Sequence, residues 1–515
     1  MNQTETPYYF HVGRASDLKG SDRALYRFLE MIPGLLAWIT LLGTVVISYF
    51  TPTFAAFFII AFDLYWLLKT MYLSIHLREN WRRTRYNMKL DWRKMVEPLK
   101  YDHIYHLVLL PFYDESLDLL DQSISSILNA DYDPKKILMV LATEERAGEK
   151  AVRTAATLKE KYADHFGGFL ITKHPKNIEG EMPGKGSNIT YAAKEARKSL
   201  LDAKNIPYED VIVSALDSDT SMYRSYFLCL TWHFLTAPDR YHVSYQPVPL
   251  YNNNIWQAPA FSRVVASSGT FWQMIQQERP EKLATFSSHS IPFKTLHEIG
   301  YWQKNMVSED SRIFWNAFMF YDGKYRVVPL SYPVSMDANL AVSFWQTLKN
   351  IYKQQRRWAW GSENLPYILF NFIKNPRIKF TKKVRVMFVQ LEGYWSLSTN
   401  PLLIFLLGWL PLILGGHRFN ETVLSYNLPY ITRDLMVLAM TGLILSAIIA
   451  ISFLPPMPPE YRRRHKLFMV AQWIFVPFTI VVFGALPGLD AQTRLMIGKY
   501  MGFWVTPKHQ GEKKA

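Results

Sequence analysis

Two long apolar runs lie near the beginning of the chain, separated by only three residues. Residues 32–50 contain no charged side chain, and residues 54–68 contain one, Asp63. Each run approaches the roughly 20 residues that a helix needs to cross a bilayer. The pattern therefore predicts a transmembrane hairpin at residues 31–76, preceded by a cytoplasmic N-terminal segment at 1–30.

Basic residues flank both open ends of this predicted hairpin. Loops rich in Lys and Arg stay on the cytoplasmic side of a membrane, so both ends of the hairpin and the section that follows are expected in the cytoplasm. The residues directly after the hairpin form a basic linker, 77–100. The flanking charges are Arg14, Lys19, Arg23 and Arg27 before the hairpin, and Arg78, Arg82, Arg83, Arg85, Lys89, Arg93 and Lys94 after it.

Apolar segments return in the C-terminal part of the chain. Residues 384–414 predict an interface helix followed by a spanning helix, and residues 435–454 predict a further spanning segment. Residues 467–486 are apolar as well, but they follow a run of basic residues that is typical of a cytoplasmic loop. The resulting sections are a block of interface and transmembrane helices, 363–456, and a basic loop with an interface or membrane helix, 457–515.

Between these membrane segments, residues 101–362 alternate short β-rich runs with helical patterns. Strands that alternate with helices indicate an α/β fold with a mostly parallel sheet and helices on both faces. In such sheets, ligands bind beyond the carboxyl ends of the strands. The predicted strands are 106–110, 136–142, 168–172 and 211–216, and the predicted helices are 115–130, 147–163 and 188–202.

Composition narrows the choice of partner. Hydrophobic residues make up 49% of the 515 residues, and the formal net charge is +15. That charge favours anionic partners. Because the basic residues cluster at the predicted membrane edges, lipid headgroups or a nucleotide diphosphate fit better than nucleic acid. A single cysteine, Cys229, excludes an internal disulfide and a CxxC metal site.

Carboxylates stand where the predicted strands end. Asp217 and Asp219 follow the strand 211–216, Glu115 follows the first strand and Glu144 follows the second. Clustered carboxylates repel one another unless a cation lies between them. A hard divalent cation that carries a diphosphate would meet this need.

Three further groups of residues accompany these carboxylates. Lys185 lies between two glycines just before a predicted helix, which suits a phosphate, although a flexible loop at a helix start explains it equally well. Asp310 belongs to a Ser-Glu-Asp run. Gln354, Arg357 and Trp358 precede the second membrane block; an interfacial anchor accounts for the tryptophan but not for the grouped glutamine and arginine.

The order of these motifs resembles that of family 2 glycosyltransferases, in the membrane-embedded branch typified by cellulose and hyaluronan synthases. The resemblance covers nearly the whole chain. The matching motifs are Pro111 to Glu115 including Tyr113, Glu144-Glu145, Gly184-Lys185, Asp217 and Asp219, Glu309-Asp310, Gln354 with Arg357 and Trp358, and Phe503, Val505, Thr506 and Lys508 of an FxVTxK gating segment.

The resemblance implies a fold and a site. It implies a cytoplasmic glycosyltransferase A-type, Rossmann-like domain inserted between transmembrane helices of a multi-pass protein of the plasma (inner) membrane. It also implies that 467–486 lies in the interface. The implied roles are general base for Asp310; Mg²⁺ or Mn²⁺ binding for Asp217 and Asp219; donor binding for Pro111, Tyr113, Glu115, Glu144, Lys185, Asp217 and Arg357; acceptor binding for Gln354, Arg357 and Trp358; and closure over the donor for Phe503, Val505, Thr506 and Lys508.

The implied reaction is inverting transfer from a nucleotide-sugar, expected to be a UDP-sugar, onto a growing polysaccharide, with an export subunit as a candidate partner. Two alternatives stay open: a glycolipid synthase resembling ceramide glucosyltransferases, and a non-catalytic membrane scaffold. The chain departs from the family pattern at Glu144 and Asp114, where aspartate and asparagine are usual. It also has Phe286-Ser287-Ser288-His289 where the family has a basic pair.

Overall fold

The structure, a computed structural model, describes residues 7–462 and 464–504. The three gating-segment residues Val505, Thr506 and Lys508 lie outside the described residues. The described chain forms an α/β domain with long apolar helices before and after it in sequence.

The predicted hairpin corresponds to two long helices, α1 (Gly20–Phe50) and α2 (Pro52–Asn87), separated by one residue. Pro52 begins α2, where a missing N–H costs little because the first turn has no helical acceptor for it. Both helices extend beyond the predicted limits of 31–76. The first part of the predicted linker 77–100 is therefore helical and continues α2.

The segment before α1 packs on the α/β domain. Phe10 is buried in the main core, and the buried guanidinium of Arg312 donates a hydrogen bond to the Val12 carbonyl at 3.0 Å. The Tyr367 hydroxyl donates to the Phe10 carbonyl at 3.1 Å. The N-terminal segment and the α/β domain therefore lie on the same side of the hairpin.

The α/β domain is built on a mixed sheet. Its strands are β1 (Tyr105–Pro111), β2 (Ile137–Glu144), β3 (Gly168–His174), β4 (Val211–Ala215), β5 (Ser221–Met222), β6 (Val243–Leu250), β7 (His289–Pro292) and β8 (Arg326–Ser335). Within the described residues they form one sheet of eight strands in the order β3-β2-β1-β4-β7-β6-β8-β5. The strands β1 to β4 pair in parallel, whereas β7 runs antiparallel to both of its neighbours. The four predicted strands are confirmed to within two residues at each end.

Alternate residues of β1 belong to different cores. Leu107 and Leu109 lie in the cluster on one face of the sheet, and Val108 and Leu110 lie in the cluster on the other. Side chains alternate along a strand, so a strand that is apolar at every position must be covered on both faces. The continuous apolar runs in the sequence reflect this double burial.

Ten helices of the described chain accompany this sheet. They are α3 (Trp92–Val96), α4 (Leu117–Leu128), α5 (Gly148–Tyr162), α6 (Lys185–Ala196), α7 (Tyr226–Thr236), α8 (Ala260–Gln277), α9 (Phe293–Glu298), α10 (Glu309–Phe320), α11 (Phe344–Ala359) and α12 (Asn364–Lys374). The helices α4, α5 and α6 fulfil the three helix predictions, and a π-helical turn at Arg197–Asp202 continues α6.

The C-terminal part is helical. Its helices are α13 (Phe380–Leu402), α14 (Leu410–Leu414), α15 (Gly416–Asn420), α16 (Val423–Ser452), α17 (Arg464–Ala471), α18 (Val476–Ile480) and α19 (Leu486–Met496). Short 3₁₀ and π turns join α17, α18 and α19 into a near-continuous helical segment.

Among the described residues, four helical segments are long and apolar enough to cross a membrane: α1, α2, α16 and the segment Arg464–Met496. The first three agree with the sequence analysis. The predicted crossing within 384–414 is not among the four. This stretch is divided among α13, which carries charged and polar side chains, a π turn at Leu403–Leu407 and the five-residue helix α14. The segment 467–486, which the resemblance placed in the interface, meets the same criteria of length and composition as the others, and its interface position stays a prediction.

Candidate active site

A cleft of about 1090 Å³, including its opening to solvent, lies beyond the carboxyl ends of β1, β2 and β4. This is where a parallel sheet with alternating helices is expected to bind its ligand. Every predicted site residue that the structure describes lines the cleft: Pro111, Tyr113, Glu115, Glu144, Lys185, Asp217, Asp219, Asp310, Gln354, Arg357, Trp358 and Phe503.

The carboxylate of Asp217 already has a cationic partner. Its Oδ1 accepts a hydrogen bond from the Lys185 ammonium, and its Oδ2 accepts one from the Ser287 hydroxyl at 2.5 Å. Burial alone would lower the pKa of Lys185, but the carboxylates of Asp217, Glu309 and Asp310 outweigh burial and raise the pKa. The lysine therefore stays charged, as a phosphate ligand requires.

Asp219 is 3% exposed and sits deeper in the cleft. Its Oδ2 accepts a hydrogen bond from the Asp337 backbone N–H at 3.2 Å. Asp337 lines the cleft as well, but it was not among the predicted site residues. The signal was present, because Asp337 follows β8 just as Asp217 follows β4.

These carboxylates suit a divalent cation that arrives with a substrate. Among the residues that the structure describes, no three His, Cys, Asp or Glu side chains form a metal site by themselves. Mg²⁺ commonly takes one or two protein carboxylates and completes its shell with substrate phosphates and water. Asp217 and Asp219, at the end of one strand, fit that pattern.

Glu115 connects the ends of β1 and β4. Its Oε2 accepts hydrogen bonds from the backbone N–H groups of Tyr113 at 2.6 Å and Asp114 at 3.1 Å. Its Oε1 accepts from the Ser218 hydroxyl at 2.9 Å. Such a bridge holds two strand ends in a fixed relation, so Glu115 shapes the cleft floor beside Asp217.

Glu144 and Arg146 form a charged pair at the end of β2. The Arg146 guanidinium donates to both carboxylate oxygens, one bond measuring 2.9 Å. The same guanidinium lies 4.7 Å from the centre of the Tyr113 ring. This cation–π contact between Arg146 and Tyr113 was not predicted, and it places a positive charge next to a residue that lines the cleft.

Gly184 allows the C-terminal segment to reach the cleft. It caps the N-terminus of α6 with φ +157°, and a Cβ there would lie 2.8 Å from the Cγ of Phe503. Any larger residue would therefore collide with that ring. Phe503 also lies under the Arg357 guanidinium, at 5.2 Å.

Asp310 lies in the first turn of α10, where a negative charge is favoured by the helix dipole. Its Oδ2 accepts a hydrogen bond from the Ser287 N–H at 2.9 Å, and its Oδ1 accepts from the Ser311 N–H at 2.8 Å. The neighbouring Glu309 is 3% exposed. Burial first, and then the charge of Asp310, raise the pKa of Glu309 to about 8.

A buried carboxylate fixes the backbone just before Asp310. Glu363 Oε1 accepts hydrogen bonds from the N–H groups of Val307 at 3.2 Å and Ser308 at 2.9 Å, and from the Ser308 hydroxyl at 2.7 Å. Burial raises the pKa of Glu363, and the nearby Arg312 opposes the rise. Neither Glu363 nor Arg312 was a sequence candidate.

The far end of the cleft is aromatic. Gln354, Arg357 and Trp358 are three and four residues apart on α11, so they share one face of that helix. The Trp358 ring lies 5.5 Å from the ring of Phe286 and 6.1 Å from that of Tyr251. The run Phe286 to His289 thus contributes a ring that packs against Trp358 and the hydroxyl that holds Asp217.

The two adjacent arginines of α11 have different partners. Arg357 faces the cleft, whereas Arg356 donates a hydrogen bond to Asp490 of α19 at 2.8 Å. Arg357 is therefore a residue of the cleft, and Arg356 links α11 to the C-terminal helices.

A strand-end DxD, a lysine at a helix start and an acidic pair at a second helix start are typical of a glycosyltransferase, and comparison of the sequence places the chain in that class. The chain matches the family model "Glycosyl transferase family group 2" over residues 212–483, more than half of its length. The protein belongs to this family of glycosyltransferases.

Among curated proteins, the chain is similar to the poly-beta-1,6-N-acetyl-D-glucosamine synthase of Staphylococcus epidermidis. The two are 21% identical over 377 residues, which cover 73% of this chain and 79% of the relative.

Two solved structures are also similar. One is a mannosyltransferase from Pyrobaculum calidifontis in complex with GDP-Man and Mn²⁺, with 12% identity and a TM-score of 0.44, covering 83% of this chain and 100% of that one. The other is S. aureus TarS 1-349 in complex with UDP-GlcNAc, with 14% identity and a TM-score of 0.33, covering 67% and 90%.

Proposed function

We propose that this protein transfers a sugar from a UDP-sugar donor onto a growing polysaccharide, with inversion at the anomeric carbon. The observation that carries the proposal is one cleft in which Asp310 faces the carboxylates of Asp217 and Asp219 and the cations Lys185 and Arg357. Lys185 and Arg357 offer positive charge to the anionic donor and to the departing diphosphate. Asp310 offers a base to the acceptor hydroxyl.

The donor lies at the strand ends. Lys185 and Arg357 bind the diphosphate, because both carry charge into a partly enclosed site where such pairs are strong. Glu144 contacts the nucleoside, next to the cation–π contact between Arg146 and Tyr113. Pro111, Tyr113 and Glu115 complete the donor wall, and Phe503 with Val505, Thr506 and Lys508 closes over it.

In the reaction, an acceptor hydroxyl oxygen attacks the anomeric carbon from the face opposite the diphosphate. Asp310 takes the proton of that hydroxyl as general base. The bond from the anomeric carbon to the diphosphate oxygen breaks, and the nucleoside diphosphate leaves with both electrons. Lys185 and Arg357 then hold the added negative charge.

The proposal includes Mg²⁺ or Mn²⁺ as the cofactor, held by Asp219 and Asp217 together with donor phosphates. When bound, such an ion neutralises charge on the leaving diphosphate. Before the ion and the donor enter, Lys185 keeps Asp217 paired. Donor binding must therefore redistribute the partners of this carboxylate.

The acceptor occupies the aromatic end, against Gln354 and Trp358. A sugar ring offers an apolar face that packs on an indole, while its hydroxyls need polar partners. A polysaccharide acceptor is supported by the sequence relative, whose name specifies a poly-N-acetylglucosamine product. If the product is a polymer of N-acetylglucosamine, the UDP-sugar to try first is UDP-N-acetylglucosamine.

We further propose that the catalytic domain faces the cytoplasm from the inner membrane. The N-terminal segment and the α/β domain contact each other directly, which supports an even number of crossings between them. The basic residues at the ends of the hairpin support the cytoplasmic side.

The test is a donor panel. The protein is reconstituted in lipid nanodiscs with Mg²⁺ or Mn²⁺ and offered UDP- and GDP-sugars, and free nucleoside diphosphate and product size are measured. Release with one donor and a long product support the proposal. A single-sugar lipid product would instead support a glycolipid synthase. No release from any donor, with folded protein, would contradict transfer by this chain.

A further inference from the structure

Tyr251 stands directly after β6, on the wall of the cleft. It is 7% exposed, and its hydroxyl is buried without a hydrogen-bond partner among the described residues. A buried polar group that lacks a partner is costly and uncommon in native structures. Because Tyr251 lines a binding cleft, its unpartnered hydroxyl suits a partner that arrives with the ligand.

The ring of Tyr251 is held from behind. Helix α8 packs against it at Gly269, where a Cβ would lie 3.5 Å from Tyr251 Cε2 and 3.8 Å from Trp358 Cζ3. The two rings are 6.1 Å apart. Because one helix supports both, they present a fixed pair of side chains to the acceptor end of the cleft.

The charges of the cleft act on this hydroxyl. Burial raises the pKa of Tyr251 well above its usual value, the carboxylates of Asp217, Asp219 and Asp310 raise it further, and Arg357 opposes them. The phenol thus stays protonated and can donate a hydrogen bond. The side chain of Tyr251 lines the cleft on one side and borders a second, mostly apolar cavity on the other.

We propose that the Tyr251 hydroxyl donates a hydrogen bond to the acceptor molecule and so sets the position of its reacting hydroxyl against Asp310. This assignment rests on the proposed function. Trp358 supplies the apolar contact, and Tyr251 supplies the polar contact that fixes the rotation of the sugar on the indole.

The chain offers a matched control six residues earlier. Tyr245 lies within β6, is fully buried, and its hydroxyl also lacks a partner among the described residues. It belongs to the hydrophobic core on one face of the sheet and does not line the cleft. Removing either hydroxyl relieves the free-energy cost of burying a polar group without a hydrogen bond. Only removal of the Tyr251 hydroxyl should affect sugar transfer.

The experiment compares Tyr251→Phe and Tyr245→Phe with the unmodified protein in nanodiscs, using the donor found in the panel. The labelled, purified product of the unmodified protein serves as the acceptor. Thermal unfolding, transfer to this acceptor, and donor hydrolysis without acceptor are measured. Phenylalanine fills the same space, so both variants should fold at least as stably as the unmodified protein.

We expect Tyr251→Phe to raise the KM for the acceptor about tenfold, the equivalent of one hydrogen bond. Donor hydrolysis should stay unchanged, and Tyr245→Phe should transfer normally. An unchanged acceptor KM in Tyr251→Phe overturns the assignment, and so does an equal loss in donor hydrolysis. Absence of nucleotide release from the unmodified protein would overturn the proposed function, and this assignment with it.

Discussion

The two ends of the cleft differ in how their side chains are satisfied. At the strand ends, the charged groups already bind one another: Lys185 with Asp217 and Arg146 with Glu144. At the α11 end, the rings of Trp358, Phe286 and Tyr251 gather around polar atoms that have fewer partners. The hydroxyl of Tyr251, for example, is buried without a hydrogen-bond partner among the described residues.

The difference indicates what each end binds. A charged ligand can replace one partner of an ion pair by another, so paired charges make a site that is stable when empty and ready for a diphosphate. A neutral sugar brings apolar faces and hydroxyls, and it suits aromatic rings with a few polar groups. Under the proposed function, the charged strand ends are the donor end of the cleft and the aromatic α11 end is the acceptor end.

The largest effect is expected where the two ends meet. Asp310→Asn keeps the shape of the side chain but removes the base, so kcat should fall by roughly 10²–10⁴-fold. Because both hydrogen bonds to Asp310 come from backbone N–H groups, the asparagine oxygen can still accept one of them, and the fold should survive. Rapid-quench kinetics measure kcat, and equilibrium binding of UDP should remain within a factor of about two. Normal turnover would remove Asp310 from the mechanism.

At the donor end, Lys185→Met should weaken donor binding by roughly 10–100-fold with a smaller change at the acceptor, because an ion pair in a partly buried site is lost. Lys161→Met is the matched control, since this exposed lysine pairs with Asp121 away from the cleft. Titration of UDP by calorimetry separates the two variants. Equal affinities would show that the donor end does not depend on this charge.

At the acceptor end, Trp358→Leu should raise the acceptor KM by roughly tenfold and leave UDP affinity unchanged, because an aromatic face rather than a charge is removed. Trp345 lies on the same helix but is 77% exposed, so Trp345→Leu should leave the acceptor KM unchanged. If Trp358→Leu altered UDP affinity instead, the division of the cleft into two ends would be wrong.

The smallest expected effect is on the way the thermal stability of the protein changes with pH. The folded-state pKa of Glu309 is raised from 4.5 to about 8, so the folded protein holds this proton more tightly than the unfolded chain. Stability from this group is fully present below pH 4.5 and is lost as pH rises towards 8. Glu309→Gln should therefore flatten the fall in melting temperature between those limits, as differential scanning calorimetry at several pH values would show. An unchanged slope would mean that Glu309 is ionised in the folded protein.

The donor end could be predicted from sequence because its signals are local. A run of apolar residues followed at once by Asp217 or Glu144 marks a buried strand and its end, and no distant contact is needed to interpret it. The antiparallel strands were not predicted, because they form through contacts that are distant in the chain. Strand β7 is only four residues long, His289–Pro292, and it becomes a strand by pairing with β4, far away in the chain.

The support behind Asp310 was missed for a related reason. Glu363 and Arg312 are charged, and charged residues are usually exposed, so neither suggested a buried site. Their burial depends on contacts between segments about fifty residues apart. Tyr251 likewise lies in an unremarkable Tyr-Asn-Asn-Asn stretch, and only the fold brings it beside Trp358.

The docking of the N-terminal segment on the α/β domain also bears on how the chain assembles during synthesis. Phe10 and Val12 are made some three hundred residues before their partners Arg312 and Tyr367. The N-terminal segment can therefore dock only after the α/β domain has been made. Any extension fused to the beginning of the chain has to leave this late docking step unhindered.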